Sequence, residues 1–207
     1  MHKDIFRSSV KGARVLKNIY VAMIASVFGL LAMGWTQGAR AEDLTALSSA
    51  AQAAIQQLGS EDAYVRQKAF LQLEALRELA ALPSIRSYID DKDVDMRAWS
   101  LRAIAAIQGL DAIPLLRERA QKDKKPVVRR AAILGLEPFL EKDESLAPFM
   151  IQMLRDRNPE VRMTAADIVS RINEPKAHEA LRKQAKRENN RDARKVFKMA
   201  LARISSS

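Results

Sequence analysis

The chain has 207 residues, 48% of them hydrophobic but only 5% aromatic, with a formal net charge of +10. It contains no cysteine and two histidines, which excludes disulfides, thiolate metal ligation, a lipid-modified cysteine and a histidine-rich metal centre. Stability must come from packing alone, and this length is enough for one domain with a continuous core.

Lys3, Arg7, Lys11, Arg14 and Lys17 precede an uncharged apolar run from Ile19 to Trp35, and Ala39-Arg40-Ala41 follows as an A-x-A pattern. A basic region, an apolar region and a small-residue site in that order describe a secretory signal peptide over residues 1–41, cleaved after Ala41. The run is 17 residues long, the short edge of what spans a bilayer. An uncleaved anchor is therefore the second reading, with membrane contact through residues 19–35 only. Positive charge ahead of the run keeps that end in the cytoplasm. Either way the remainder is exported: periplasmic, or anchored in the inner membrane and facing the periplasm. Residues 1–41 hold six Lys/Arg and one Asp, so their removal leaves 29 basic against 24 acidic residues, net +5. A smaller excess weakens the case for a nucleic-acid partner.

Residues 42–59 place Leu44, Leu47, Ala51, Ile55 and Leu58 on one helical stripe, with Gly59 as its C′ residue. This segment is expected to cap the array that fills residues 60–207. There a short phrase recurs: DAYVRQKAF at 62–70, DVDMRAWSL at 93–101, KPVVRRAAI at 125–133, NPEVRMTAA at 158–166 and NRDARKVFK at 190–198. Its arginines, Arg66, Arg97, Arg129, Arg162 and Arg194, are spaced by 31, 32, 33 and 32 residues. Counting from each arginine, offsets −1, +3, +7 and +10 carry apolar or small residues, the spacing of one face of an α-helix. Four residues before the arginine stand Asp62, Asp93, Asn158 and Asn190, side chains that suit an N-cap; the third phrase has Lys125 there, backed by Pro126. Between the phrases, Pro83, Pro114, Pro148 and Pro175 open a second, shorter helix. A helix pair cannot bury its own apolar face alone. Stacking of such pairs predicts an all-α fold, an α-solenoid of about five pairs, the last partial, behind an N-terminal capping helix.

The signatures W-x₂-L-G-x₂-Y and T-P-L-H are missing, which sets aside tetratricopeptide and ankyrin repeats. The pattern D/N-x-x-V-R-x-x-A-x-x-x-L, with proline opening the alternate helix, resembles HEAT repeats, and in particular the short HEAT-like units of phycobilin lyases. That resemblance implies a ladder of polar contacts between neighbouring units, built from Arg66, Arg97, Arg129, Arg162 and Arg194 with Asp62, Asp93, Asn158 and Asn190. It also implies that the Val-Arg helix lines the concave surface. Offsets opposite the apolar face then mark a partner-binding lane: Leu71, Arg102, Arg130, Leu134, Met163, Asp167, Lys195 and Met199, with Trp99 beside it either as an interface anchor or packed between helices.

An enzyme is not expected from these residues. His178 is the only histidine after the leader, no G-x-S-x-G turn accompanies it, and His178-Glu179 is a single pair where the di-iron site of deoxyhypusine hydroxylase, another HEAT-like protein, needs several. Phycobilin lyases act in the cytoplasm, and the export leader argues against that role. The expectation is therefore a non-enzymatic exported scaffold presenting a concave surface to a protein partner, with no cofactor or metal. One alternative is a DNA-binding or alkylpurine-glycosylase-like protein using the basic residues of the last third, for which export makes nucleic acid a poor partner. The other is an accessory subunit of an enzyme complex.

Overall fold

The computed structural model describes residues 46–205, and the expectations for the leader lie outside them. Among the described residues there are ten α-helices, three short 3₁₀ turns and no strand. In chain order the helices are α1 (Ser49–Gln57), α2 (Ala63–Leu76), α3 (Leu82–Arg86), α4 (Val94–Gln108) and α5 (Ile113–Lys122). They continue as α6 (Pro126–Leu136), α7 (Leu146–Met153), α8 (Pro159–Val169), α9 (Pro175–Ala185) and α10 (Arg191–Ser205).

The even-numbered helices carry the Val-Arg phrase. Each packs on the next, α2 on α4, α4 on α6, α6 on α8 and α8 on α10, while each odd-numbered helix packs on the even one that follows it. The expected all-α solenoid is this arrangement. Helix α1, expected as a cap, also supplies the first member of the first pair by packing on α2. Local chemistry sets the starts. Asp62 Oδ1 accepts from Tyr64 N at 2.8 Å, Asp93 Oδ1 from Asp95 N at 2.9 Å, and Asn158 Oδ1 from Glu160 N at 2.9 Å. Lys125 makes no such bond, and Pro126, which has no N–H to satisfy, stands first in α6.

The apolar stripe forms the shared core. Val128, Leu136, Val161, Val169 and Ala193 are all fully buried, as are the small residues Ala69, Ser100, Ala132 and Ala165 that let neighbouring helices approach. Each such Leu or Val contributes about 1.5–3 kcal/mol relative to exposure. Gly135 marks a close approach: a Cβ there would lie 3.2 Å from Ala105 Cβ and 3.3 Å from Leu116 Cδ2. The stripe thins at the first phrase, where Val65 is half-buried and Leu76 is 38% exposed. Among the described residues α2 has a Val-Arg neighbour on one side only, α4, so part of its face lacks cover.

Two helix ends depart from expectation. Gly59 does not take a left-handed conformation; α1 ends at Leu58 with right-handed angles, and the Leu58 and Gly59 amides close back on the last turn, so glycine is not needed there. At the end of α2 the left-handed position falls instead to Arg77, φ 54° and ψ 32°, the sole non-glycine with positive φ among the described residues. For a residue with a Cβ this costs about 1–2 kcal/mol. The residue that closes α4 is Gly109, at φ 63° but ψ −133°, a different conformation that glycine adopts freely.

Candidate functional site

Four of the ladder arginines, Arg66, Arg97, Arg129 and Arg162, divide their donors between their own unit and the next. Nη1 of Arg97 reaches the Asp91 carbonyl at 2.7 Å, that of Arg129 the Asp123 carbonyl at 3.0 Å, and that of Arg162 the Asp156 carbonyl at 2.9 Å. The remaining nitrogens cross to the following unit. Arg97 pairs with Asp123 at 3.1 Å, Arg129 grips Asp156 through two bonds of 2.8 and 2.7 Å, and Arg162 grips Glu188 through 2.7 and 2.6 Å. Arg66 crosses to Asp93 at 3.1 Å. Paired N–H donors in a planar fork match a carboxylate, which makes such bidentate bonds strong and directional.

The acceptors differ from those the sequence suggested. Only Asp93 both caps a helix and receives an arginine. Asp62, Asn158 and Asn190 serve their own helix starts, because their oxygens are already turned onto first-turn amides. The arginines go instead to Asp123, Asp156 and Glu188, six residues before the next arginine. A second oxygen contact keeps each of these in place: Asp123 accepts from Lys125 N at 2.8 Å, Asp156 from Asn158 N at 2.8 Å, and Glu188 from Asn190 N at 2.9 Å. Aligning the phrases at offset −6 brings up Asp91, Asp123, Asp156 and Glu188 in four of the five units, a signal that was available in the sequence. Arg194 is exposed, and its side chain has no acceptor among the described residues.

Glu188 is 96% covered (4% exposed), and the Arg162 guanidinium holds its carboxyl below the ordinary 4.5, against an opposing push from burial and with help from the Asn190 N–H. A carboxyl depressed on folding adds stability that is complete above its unfolded value and is lost as pH falls through the folded one. Melting temperature should therefore drop on acidification below about pH 4.5. Glu188→Gln should melt lower at pH 7 and lose less on acidification; parallel curves for the two proteins, followed by circular dichroism, would count against this role.

The expected partner lane is a mixed surface. Leu71, Leu134 and Met199 are 47%, 43% and 70% exposed. Met163 is half-buried against the core, and so is Trp99, whose ring lies 6.2 Å from Phe70; both serve packing between helices. Arg130 bonds Thr164 Oγ1 at 3.2 Å and Glu160 at 3.1 Å, and Asp167 receives Arg171 at 2.8 Å and Arg203 at 2.9 Å. Lys195 pairs within its helix with Asp192 at 3.2 Å. Arg102 stands 3.4 Å from Glu74. Arg102, Arg130 and Asp167 thus lace neighbouring Val-Arg helices together, and the apolar members stand between the laces.

Near Leu134 this face opens into a groove of 670 Å³ between α2, α4 and α6. Ala105, Ala106, Leu134 and Phe139 form its apolar lining, and Arg77, Arg102 and Lys142 its basic rim. Among the described residues no cluster of His, Cys, Asp or Glu is arranged to hold a metal ion, and His178 is half-buried on α9 away from the groove lining.

A sequence model for HEAT repeats matches residues 51–137 and 140–202. A phycobilisome maturation protein of Synechococcus elongatus is 45% identical over 56 residues, 27% of this chain and 27% of that protein. A phycocyanobilin lyase subunit beta of a Nostoc species is 43% identical over 56 residues, 27% of this chain and 28% of that one. The matched stretch is thus little more than a quarter of either relative. Among solved structures, the complex of CpcE and CpcF of phycocyanin lyase from a Nostoc species superposes with a TM-score of 0.61 at 24% identity, covering 73% of this chain and 98% of that one; this is a likeness of fold.

The relatives correct two expectations. A free-standing, non-enzymatic scaffold is overturned by kinship to proteins named for lyase and phycobilisome maturation, which favours the enzyme-subunit alternative. The second is the separation from phycobilin lyases on account of the leader: a leader occupies one end of a chain and places no constraint on what a repeat array recognises, and the repeats are similar to those of such proteins. The missing thiol and the single histidine after the leader bear on thiolate and histidine-rich sites, and not on a part in catalysis. With the repeat model spanning both halves of the array and the helix pairs stacked by a shared ladder, the chain belongs to the HEAT-repeat family.

Proposed function

We propose that the chain is a subunit of a bilin lyase or a closely similar bilin-handling complex, working against a second protein chain. The observation that carries this is the 45% and 43% identity over 56 residues to a phycobilisome maturation protein and a lyase subunit. The lane fits such a role: Leu71, Leu134 and Met199 offer apolar contact, while Arg102, Arg130, Asp167 and Lys195 border it with charge, the composition of a surface that meets another protein. Residues 1–41 add the inference of export, with the complex then working beyond the cytoplasmic membrane as a periplasmic or membrane-anchored assembly.

A lyase joins or parts molecules without hydrolysis or net oxidation, so the expected product is a bilin attached to a protein or released from one. Deleting the chain from its host and resolving the proteins by electrophoresis in zinc, which makes bound bilins fluoresce, tests this. At least one fluorescent band should weaken about tenfold and return with the native chain, but not with Leu71→Asp/Met199→Asp. An unaltered set of bands overturns the proposal. N-terminal sequencing of the mature protein settles export separately, with Glu42 as the expected first residue.

A further inference from the structure

The groove between α2, α4 and α6 differs from the rest of its face in how its charges are spent. In the following units three arginines are neutralised at short range: Arg130 meets Glu160 at 3.1 Å, Arg171 meets Glu137 at 2.6 Å and Arg203 meets Asp167 at 2.9 Å. Around the groove, Arg77 and Lys142 are exposed and have no side-chain acceptor among the described residues. Arg102 shares Glu74 at 3.4 Å, with both side chains open to solvent. Three cations against one carboxylate leave the rim with an excess of two positive charges over an apolar floor that includes Leu134 and Phe139.

Arg77 adds an independent observation. It holds the left-handed position at the end of α2, φ 54° and ψ 32°. Glycine would hold that conformation without strain. A long cation stands there at a conformational cost with its guanidinium unengaged, so the turn itself does not account for the side chain.

We propose that this groove binds a small molecule carrying carboxylates on an apolar body. Its 670 Å³ is within the range of small-molecule sites, and an apolar lining with a few convergent charges is their usual chemistry. Arg77 and Lys142 receive the carboxylates from two sides of the rim, Arg102 exchanges Glu74 for a share of one of them, and Leu134 and Phe139 cover the apolar body. Bilins, apolar tetrapyrrole chains with two propionate groups, belong to this class. That last identification rests on the function proposed above; the carboxylate chemistry does not.

Titration of the purified full chain with biliverdin, followed by its visible absorbance, tests the site. Saturable binding should weaken at least tenfold in Arg77→Gly/Lys142→Gln, and biliverdin dimethyl ester should bind the native chain at least tenfold more weakly than the free acid. Arg77→Gly alone should melt no lower than the native protein, which separates a lost ligand contact from a lost fold. Equal binding of biliverdin by native and doubly substituted chains overturns the groove as its site and leaves the lyase-subunit reading standing. Should biliverdin fail while cis-parinaric acid, a fluorescent apolar carboxylate, binds and weakens tenfold in the double variant, the groove is supported and the bilin reading is lost. If neither probe binds, the groove proposal is overturned.

Discussion

Asp156→Ala should destabilise the protein by about 3–5 kcal/mol, the usual effect of leaving a buried charge without its partner. Arg129 is the largest fully buried side chain among the described residues, 1% exposed, and Asp156 takes two of its hydrogen bonds, at 2.8 and 2.7 Å. Without the carboxylate the guanidinium keeps its bond to the Asp123 carbonyl, but its charge remains in a dry environment. The double variant Arg129→Met/Asp156→Leu removes charge and partner together and fills the space with apolar atoms. It should recover most of the loss, leaving about 1 kcal/mol for the Asn158 N–H that Asp156 also accepts. Denaturant melts of the three proteins decide the matter. If Asp156→Ala costs no more than the double variant, the rung holds no buried charge that needs neutralising.

Leu136→Asp should be more damaging still, exceeding about 5 kcal/mol and abolishing a cooperative melt. Leu136 is fully buried in α6, the middle Val-Arg helix, and that helix packs on α4, α5 and α8. A carboxylate there meets apolar neighbours on every side and finds no donor. Because each unit leans on the next, failure at the centre removes cover from both directions. Leu134→Asp, two residues along the same helix but 43% exposed, should shift stability by less than about 0.5 kcal/mol. A normal melt for Leu136→Asp would contradict the packing of the stripe.

The architecture was legible because stacking repeats itself. Offsets −1, +3 and +7 had to be apolar or small in each unit, and Val128, Ala132 and Leu136 are buried as that periodicity requires. Helix starts were legible for the same reason, since an N-cap is a contact between near neighbours in the chain. The rungs were only half visible: the donors recur at a fixed position, whereas the acceptors Asp123, Asp156 and Glu188 lie in loops 26 or 27 residues away from their arginines. The lane shows where helical periodicity stops being informative. Met163 and Trp99 sit on or beside the outward offsets yet turn into gaps between helices, because long flexible or broad side chains reach sideways off their nominal face. The groove was not visible at all. It depends on three helix ends meeting, and on Arg77 turning left-handed where a glycine would be the ordinary choice.

Every full rung hands one guanidinium forward and offers one carboxylate backward, with that same acidic residue closing its own loop through Lys125 N, Asn158 N or Asn190 N. Each unit therefore carries a plug and a socket of matching shape. Genetic excision or duplication of one period, cut at equivalent points, leaves plugs and sockets still in phase. Arrays of this kind can lengthen or shorten by whole units without any new junction having to evolve.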